Sequence, residues 1–524
     1  MRGSGVRVLV ALAIVLLGCL LLVRSIRLPP LAEPPGSRAI VDIGDTRLGR
    51  TLSGQVAANP GLSGVWPIRD GHDAFADRVL LAEAADRSLD VQYYIWRPDM
   101  SGVLLAEALH RAAERGVRVR LLLDDNNTVG LDPMLAALDA HENIEVRLFN
   151  PFPIRGHRIL GYLTDFDRLN RRMHNKSFTA DNQATIVGGR NVGNEYFSVG
   201  QAMRYIDLDV LAVGPVARAV SADFERYWSS RSSYPLRQVL GDAASVDPGA
   251  VPRRASLAER DPHARAYLDA VRQSGFLRSL LAGEISFEWT RVRLFSDDPA
   301  KGLGRGARED LLSERLRRVL GGAEQEVELV TPYFVPTKAG VRALSDLVAR
   351  GVEVGVLTNS LEATDVIPVH AGYARHRVAL LEAGVRLYEL KREAGADPRD
   401  VHRLAGSSAS SLHAKVFSVD RQRLFVGSFN FDPRSANLNT EMGLLIDSPA
   451  LARAMVEGMR SVLPGLAYEV TLGEDGKPRW IERRDSGAGA PGAETIVHRH
   501  EPDAGLWSRL GVWLTSRLPV EWLL

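Results

Sequence analysis

The chain has 524 residues, enough for two or three domains of ordinary size. Its 45% hydrophobic and 25% charged residues are typical of a globular protein. A net charge of +1 argues against a dedicated nucleic-acid-binding protein, which would usually be strongly basic. The one cysteine, Cys19, excludes an intrachain disulfide.

An apolar run over residues 8–23 is flanked by arginines on both sides. As a helix it would span about 24 Å, slightly less than the bilayer core of about 30 Å. An uncleaved anchor, a cleaved signal and a lipoprotein signal ending at Cys19 are the three interpretations. Apolar residues continue beyond Cys19, which weakens the third, and we expect an uncleaved anchor. Residues 1–27 are thus predicted as anchor or signal, and the proline-rich residues 28–68 as linker and lead-in.

Apolar patterns then alternate between strand and helix periods. The predicted elements are a helix over 71–86, strands over 89–96, 117–123 and 144–149, and helices over 102–115 and 131–141. This alternation predicts an α/β layered fold with parallel strand pairing.

A spaced polar motif follows these elements. His174, Lys176 and Asp181 form the pattern H-x-K-x4-D, and the residues Gly-Gly-Arg-Asn follow at 188–191. Strands over 178–180 and 184–187 are predicted to form a hairpin, with a strand over 206–213 and a helix over 215–229 after it. Residues 69–232 are predicted as one half of the protein.

The same order of elements returns after a connection predicted over 233–288. Residues 327–335 resemble the first strand of the first half, and a second motif places His413, Lys415 and Asp420 in the same spacing, followed by Gly-Ser-Phe-Asn at 427–430. Two copies of a long spaced pattern, each last in its half, indicate an internal duplication. The second half is predicted over 289–470.

The C-terminal tail, predicted over 471–524, contains an amphipathic helix. Leu506, Trp507, Leu510, Trp513 and Leu514 fall on one helical face. This pattern is typical of a helix lying in a membrane interface. Docking of the tail onto its own domain is the alternative.

The motif residues suit the chemistry of a phosphate ester. One histidine can attack phosphorus while a second protonates the leaving oxygen, and the two lysines offset the negative charge. Asn191, Ser428 and Asn430 are predicted to donate hydrogen bonds to phosphate oxygens. On a strand, positions i and i+2 share a face, so each histidine and its lysine are expected to point to one site. We expect no metal and no other cofactor.

A carboxylate is expected to orient each histidine through its second ring nitrogen. Glu441 is the candidate for His413, and Asp207 is the candidate for His174, with Glu195 as the alternative. Asp181 and Asp420 belong to the motif set with the catalytic residues, and we expect them to order the motif loops. His370 is a candidate substrate contact, with a surface position as the alternative.

These motifs resemble the two HKD motifs of the phospholipase D superfamily, over roughly residues 69–447. The resemblance implies two similar α/β/α sandwich halves that form a pseudo-dimer around one shared, metal-free active site. It also implies that His174 is the nucleophile and His413 the general acid and base. The stretches VQYYIW, GGRNVGNEYF and GSFNFDPRSANLNTEMG are similar to bacterial cardiolipin synthases. One departure is Gly189, where the superfamily pattern usually has serine.

The expected activity is a phosphatidyl transfer between phospholipids through a phosphohistidine, with phosphatidylglycerol and also phosphatidylethanolamine as candidate substrates. A phospholipase D hydrolase and, from another class, a nuclease or a lipid-binding protein are the alternatives. The apolar N-terminus and near-neutral charge favour lipid over nucleic acid. We expect a monomer with an internal pseudo-dimer, anchored in or peripheral to a bacterial inner membrane.

Overall fold

The computed structural model describes residues 43–198, 204–241, 246–392, 410–484, 494–518 and 521–524, with a few isolated residues before position 43. Most of the predicted anchor, residues 1–27, therefore lies outside the described residues. Within the described ranges, no helix is both long and apolar enough to cross a membrane.

Two large sheets form the centres of two layered halves, joined to a short third sheet. The strands are β1 (Ser63–Ile68), β2 (Ser88–Tyr93), β3 (Arg118–Asp124), β4 (Ile144–Phe149), β5 (Ser177–Ala180), β6 (Ala184–Gly188), β7 (Arg204–Ile206), β8 (Asp209–Val213), β9 (Ser233–Pro235), β10 (Glu288–Thr290), β11 (Val292–Ser296), β12 (Glu326–Val330), β13 (Glu353–Asn359), β14 (Arg386–Leu390), β15 (Ser410–Leu412), β16 (Val416–Val419), β17 (Arg423–Gly427), β18 (Met442–Ile446), β19 (Ala467–Leu472), β20 (Pro478–Arg484) and β21 (Glu494–His498).

Helices cover the sheets and connect their strands. They are α1 (Arg47–Ala58), α2 (Gly71–Ala84), α3 (Met100–Glu114), α4 (Asp132–Asp139), α5 (Arg158–Tyr162), α6 (Phe166–Leu169), α7 (Pro215–Trp228), α8 (Leu236–Leu240), α9 (Ala250–Ala258), α10 (Pro262–Gln273), α11 (Phe276–Leu281), α12 (Leu312–Gly321), α13 (Thr337–Ala349), α14 (Ile367–Ala374), α15 (Arg377–Glu382), α16 (Pro433–Asn437), α17 (Pro449–Leu466) and α18 (Leu506–Thr515). Short 3-10 helices include Glu521–Leu523.

The two large sheets share one strand order over eight strands each. The first runs β10-β1-β8-β6-β5-β2-β3-β4-β9, and the second runs β11-β18-β17-β16-β12-β13-β14-β19-β20-β21. In each, the three strands that alternate with helices pair in parallel, and the motif hairpin pairs antiparallel beside them. The α/β duplication predicted from the motif order is therefore confirmed.

The halves share a hydrophobic core where the sheets meet. Val187 and Val210 from the first half join Val426 and Leu444 from the second in one buried cluster. Because the motif hairpin of each half contributes strands to this contact, the two motifs are brought to the same interface.

One predicted element is broken in a way that matters for the site. The single strand expected over 206–213 is two strands, β7 and β8, with Asp207 and Leu208 between them. β7 leaves the large sheet and pairs in parallel with β15 of the second half. The break lets the Asp207 side chain leave the sheet plane and reach the interface.

Candidate active site

Each motif histidine is attached by its backbone to the opposite half. The His174 N–H donates to the carbonyl oxygen of Thr440 at 2.9 Å, beside an isolated parallel bridge between Met173 and Thr440. In the other half, the His413 N–H donates to the carbonyl oxygen of Ile206, also at 2.9 Å. Thr440 immediately precedes the buried Glu441, and Ile206 immediately precedes the buried Asp207. Each histidine therefore lies next to a buried carboxylate of the other half.

The histidine side chains form two crossed pairs with those carboxylates. His174 Nδ1 lies 2.8 Å from Glu441 Oε2, and His413 Nδ1 lies 2.5 Å from Asp207 Oδ2. The predicted pairing, Glu441 with His413 and Asp207 with His174, is wrong. Both carboxylates do bond a catalytic-motif histidine, but each bonds the histidine of the other half because the halves face each other.

Strand register explains why these two carboxylates are equivalent. Gly188 is paired with Asp209 across β6 and β8, and Gly427 is paired with Gly443 across β17 and β18. Asp207 lies two residues before Asp209, and Glu441 lies two residues before Gly443. The duplicated fold thus delivers one carboxylate from each half at the same register position.

Ser428 holds one carboxylate, and Gly189 leaves room for the other. The Ser428 hydroxyl donates to Glu441 and accepts from the Met442 N–H at 3.0 Å, so its hydroxyl is already used within the protein. A Cβ atom on Gly189 would lie 2.2 Å from Asp207 Oδ1. The shorter aspartate therefore occupies the space that a serine would fill, which gives the departure at Gly189 a physical reason.

The motif lysines are buried beside the histidines. Lys176 Nζ donates to the His174 carbonyl oxygen at 2.6 Å, and Lys415 Nζ makes the same bond to His413. Both motifs precede their strands rather than lying within them, so this bond, not strand alternation, brings each lysine to its histidine. Burial lowers the pKa of Lys176 well below its ordinary value, and burial lowers that of Lys415 to about 8, while Glu441 opposes both shifts.

Burial favours the neutral form of both histidines. Burial lowers the pKa of His174 well below its ordinary value, and the charges of Lys176 and Lys415 lower it further. Burial and Lys415 lower the pKa of His413 to about 4, against the opposing attraction of Asp207. A neutral imidazole that donates from Nδ1 keeps an unprotonated Nε2, which is the form that can attack an electrophile.

The two carboxylates differ in acidity. Burial raises the pKa of Glu441 to about 7, although Lys176 and Ser428 act to lower it. Burial would also raise the pKa of Asp207, but the attraction of His413 and Lys415 outweighs it and lowers that pKa to about 2. Asp207 is consequently the more firmly ionised partner, and His413 has the stronger counter-charge.

Aromatic rings line the site beside each histidine. The Tyr94 ring lies edge-on to His174 with centroids 4.8 Å apart, and the rings of Tyr196 and Tyr205 each lie 5.0 Å from His413. Tyr196 and Tyr205 were not identified from the sequence. Their signal was position, because both lie between the first motif and Asp207.

The two asparagines retain unused hydrogen-bonding atoms. Asn191 accepts from the Ile95 N–H at 3.2 Å, and its Nδ2 donor is buried without an acceptor. Asn430 has a buried Oδ1 without a donor. Asn191 therefore keeps a free donor suited to an anion, as the sequence predicts, whereas Ser428 does not.

The motif aspartates lie at the far ends of their strands. Asp181 accepts from the backbone N–H groups of Asp86, Arg87 and Ser88 at 2.7–2.9 Å. Asp420 accepts likewise from residues 324–326 at 2.7–3.2 Å. Both have positive φ in tight hairpin turns. They tie each motif hairpin to the start of a parallel strand, and their inclusion with the catalytic residues is corrected to a structural position.

Two other candidates lie away from the histidines. Glu195 pairs with Arg97 at 3.2 Å, and His370 bonds Glu501 at 2.9 Å, which holds the C-terminal segment against α14. No group of three or more histidine, cysteine, aspartate or glutamate side chains among the described residues is arranged to hold a metal ion.

Comparison with known proteins identifies the family of this duplicated site. The family model described as "Cardiolipin synthase, PLD-like domain" matches twice, over residues 79–228 and 316–463, once for each motif. The chain belongs to the cardiolipin synthase family of the phospholipase D superfamily. The resemblance inferred from the two motifs is therefore confirmed.

Individual relatives agree with the family match. Cardiolipin synthase C of Escherichia coli is 48% identical over 483 residues, covering 91% of this chain and 100% of that protein. An uncharacterized protein of Helicobacter pylori is 33% identical over 423 residues, covering 78% of this chain and 81% of its own. Among solved structures, the phosphatidylserine synthase of Haemophilus influenzae aligns with a TM-score of 0.52 at 14% identity, over 81% of this chain and 92% of that one, which shows a shared fold.

Proposed function

We propose that this protein is a phosphatidyltransferase that makes cardiolipin from phosphatidylglycerol through a phosphohistidine. The observation that carries the proposal is the pair of buried histidines, each bonded at Nδ1 to a carboxylate, so that both Nε2 atoms remain for substrate. The similarity to a cardiolipin synthase over nearly the whole chain supports the substrate class.

In the first step, His174 Nε2 attacks the phosphorus of one phospholipid and forms the P–N bond. The bond from phosphorus to the headgroup oxygen breaks, and His413, which becomes protonated at Nε2 when the phosphodiester binds, gives that proton to the oxygen. In the second step, His413 takes the proton from a hydroxyl of the acceptor lipid, whose oxygen attacks phosphorus as the P–N bond breaks. The products are cardiolipin and the free headgroup alcohol, and both histidines return to their starting states.

The difference between the carboxylates supports this division of roles. A firmly ionised Asp207 stabilises a positive charge on His413, as a general acid requires. His174 has no comparable counter-charge, because burial raises the pKa of its partner Glu441 to about 7. A bound phosphodiester adds a negative charge near both rings, which favours protonation of the histidine that is better stabilised, His413.

The lysines and Asn191 would hold the phosphate oxygens. Lys176 and Lys415 bring two cations to the midline between the halves, and charge developing on the phosphoryl oxygens is stabilised there with little screening by water. The Asn191 amide supplies a free N–H donor at the same end of the first sheet. We propose Asn430 as a second phosphate contact by its equivalent position in the other half.

Phosphatidylethanolamine is a second candidate for the donor lipid, because the phosphoryl chemistry is indifferent to the alcohol that leaves. The phospholipase D reaction, with water as acceptor, is the alternative function. We propose that the protein acts as a monomer at a bacterial inner membrane, with residues 1–27 as an anchor.

Incubation of the purified protein with phosphatidylglycerol, with and without phosphatidylethanolamine, tests the proposal through its lipid products. We expect cardiolipin and free glycerol, undiminished by EDTA. Phosphatidic acid without cardiolipin would identify a hydrolase instead. His174→Ala and His413→Ala should each abolish turnover, and activity at the wild-type level in either would rule out the two-histidine mechanism.

A further inference from the structure

Exposed apolar side chains concentrate in two segments of the structure. Of twenty large apolar side chains exposed in the described part of the chain, nine lie within residues 155–171 and 505–524. The nine are Ile159, Leu160, Leu163, Phe166, Leu510, Trp513, Leu514, Leu518 and Trp522. Leu163 is 79% exposed and Trp522 is 56% exposed. Apolar side chains collected in this way on a protein surface mark an interaction site rather than random exposure.

The first segment borders the His174 side of the active site. Its helix α5 is fixed on the loop after β3, where the Tyr162 hydroxyl bonds Asn126 at 3.2 Å. At the end of β3, Asp124 accepts from the N–H of Met173, the residue before His174, at 2.8 Å. The segment then continues through α6 directly into the first motif.

The second segment borders the His413 side. The Arg375 guanidinium donates to the Leu518 carbonyl oxygen at 2.8 Å and holds the end of α18 against α14. Helix α14 closely follows Asp365, which accepts from the Tyr333 hydroxyl at 2.8 Å and the Tyr205 hydroxyl at 3.3 Å. Tyr205 in turn lies against His413.

Arg434 joins the two segments across the site. Its guanidinium donates to Asn170 Oδ1 at 2.7 Å and to the Leu523 carbonyl oxygen at 3.0 Å, and its N–H donates to the Leu524 carbonyl oxygen at 2.7 Å. Burial lowers the pKa of His174, and the positive charge of Arg434 adds to that effect. Arg434 therefore links the two segments next to the paired histidines, and we call their described residues together the rim.

The charge of the rim fits an anionic surface. Its two segments contain six arginines and no lysine, against three acidic residues. Arg155, Arg158 and Arg168 are ion-paired within the protein. Among the described residues, Arg171, Arg509 and Arg517 are therefore the ones available to an anionic surface. Arg517 lies over the Trp513 ring, with its guanidinium carbon 3.7 Å from the ring centroid. Tryptophan and arginine side by side, with apolar bodies and polar tips, are typical of elements that lie in the headgroup region of a bilayer.

We propose that the rim is a membrane-docking surface that seats the active-site mouth on an anionic phospholipid bilayer. Its exposed leucines and tryptophans enter the headgroup boundary, while Arg171, Arg509 and Arg517 contact lipid phosphates. This docking goes beyond the proposed reaction, because it assigns the face of the protein that meets the membrane. A lipid could then move from the bilayer to the histidines without crossing water.

Site-specific fluorescence on the full-length protein tests the docking. Replacement of Cys19 by serine leaves no native thiol, and single cysteines at Leu163→Cys and Trp522→Cys would carry a fluorophore. Val462→Cys is the matched control. It is 47% exposed on α17, two residues from Arg460, which bonds Glu326 at the start of β12, away from the histidines. A His174→Ala background keeps the lipid composition constant during the measurement.

The labelled proteins are reconstituted in bilayers of equal parts dioleoylphosphatidylglycerol and dioleoylphosphatidylcholine that carry doxyl-labelled lipid. Doxyl groups quench only fluorophores in or on the bilayer, so quenching at positions 163 and 522 should exceed that at 462 by about fivefold or more. Equal, weak quenching at all three positions would overturn the proposal. Shielding of 163 and 522 from aqueous iodide without doxyl quenching would also overturn it, because another protein surface would then cover the rim.

A functional measurement separates docking from catalysis. The double variant Leu163→Asp, Trp522→Asp should act on phosphatidylglycerol vesicles about tenfold or more slowly than the native chain. On monomeric dihexanoylphosphatidylglycerol it should stay within about twofold, and Val462→Asp should be unaffected on both. Equal loss on vesicles and monomers would refute docking through the rim. A native chain inactive on both substrates would refute the proposed reaction, while the fluorescence result would still decide the docking.

Discussion

The crossed histidine–carboxylate pairs predict that Asp207→Asn will behave like a change at His413, in the other half of the protein. The variant removes the charge that faces His413 Nδ1 at 2.5 Å and leaves the side-chain size unchanged. A hydrogen bond to a charged group contributes roughly 1.5–3 kcal/mol. At about 1.4 kcal/mol per tenfold change in rate, turnover should fall roughly 10- to 100-fold.

The chemical nature of the leaving group makes this loss diagnostic. If His413 is the general acid, a substrate whose headgroup needs no proton should rescue the variant. Phosphatidyl-p-nitrophenol is such a substrate, because p-nitrophenolate leaves without protonation. On this ester, formation of the phosphoenzyme by Asp207→Asn should come within about tenfold of wild type, since only the proton donor is impaired.

The partner variant Glu441→Gln provides the matched control. It perturbs His174, the proposed nucleophile, at a bond of 2.8 Å, and a better leaving group does not repair a poorly oriented nucleophile. Rapid-quench measurement of phosphoenzyme with both substrates, beside His174→Ala and His413→Ala, would assign each carboxylate to the histidine whose behaviour it shares. If Glu441→Gln were rescued together with His413→Ala, the crossed pairing would be refuted.

Three further predictions concern groups outside this comparison. Asp181→Ala should lower the free energy of unfolding by about 2–4 kcal/mol, because three backbone N–H groups lose their acceptor, while turnover per folded molecule stays near wild type. Denaturant titration measures the stability, and loss of turnover without loss of stability would contradict this prediction. Asp420→Ala should behave in the same way. Gly189→Ala should reduce turnover about as far as Asp207→Asn does, because the new Cβ atom would lie 2.2 Å from the Asp207 carboxylate and displace it. Turnover at the wild-type level would show that Asp207 need not hold its position. Burial raises the pKa of Asp77 to about 8, so the folded state loses stability as pH rises from about 4 to 8. Asp77→Asn should therefore raise the free energy of unfolding at pH 8 by up to about 5 kcal/mol, seen as a higher melting temperature, and raise it much less at pH 4. An equal effect at both pH values would contradict this prediction.

The fold and the residue types of the site could be predicted from the sequence, because both occur twice along the chain. Two motifs at matched positions in two halves are visible as spacing, and spacing also pointed to Asp207 and Glu441 as histidine partners. The identity of each partner could not be read in this way. It depends on how one half is rotated against the other, and that orientation is set by packing of β6 and β8 on β17 and β18.

The roles of small polar residues were harder to predict for a related reason. Ser428 was expected to bind phosphate, but its hydroxyl is used to hold Glu441. A serine in a glycine-marked turn can donate to substrate or to a neighbour, and only the position of the neighbour decides between them. The strand break between β7 and β8 is of the same kind: the apolar pattern over 206–213 predicts one strand, although Asp207 must leave the sheet to reach the opposite half.

The crossed pairs also have a consequence for the order in which the protein is made. The first half leaves the ribosome with His174 and Asp207 but without Glu441 or His413. Until residue 441 has been synthesised and the second half has folded against the first, neither histidine has its carboxylate. A partly made chain therefore carries no assembled site that could cleave phospholipids, and the chemistry begins only when synthesis is nearly complete.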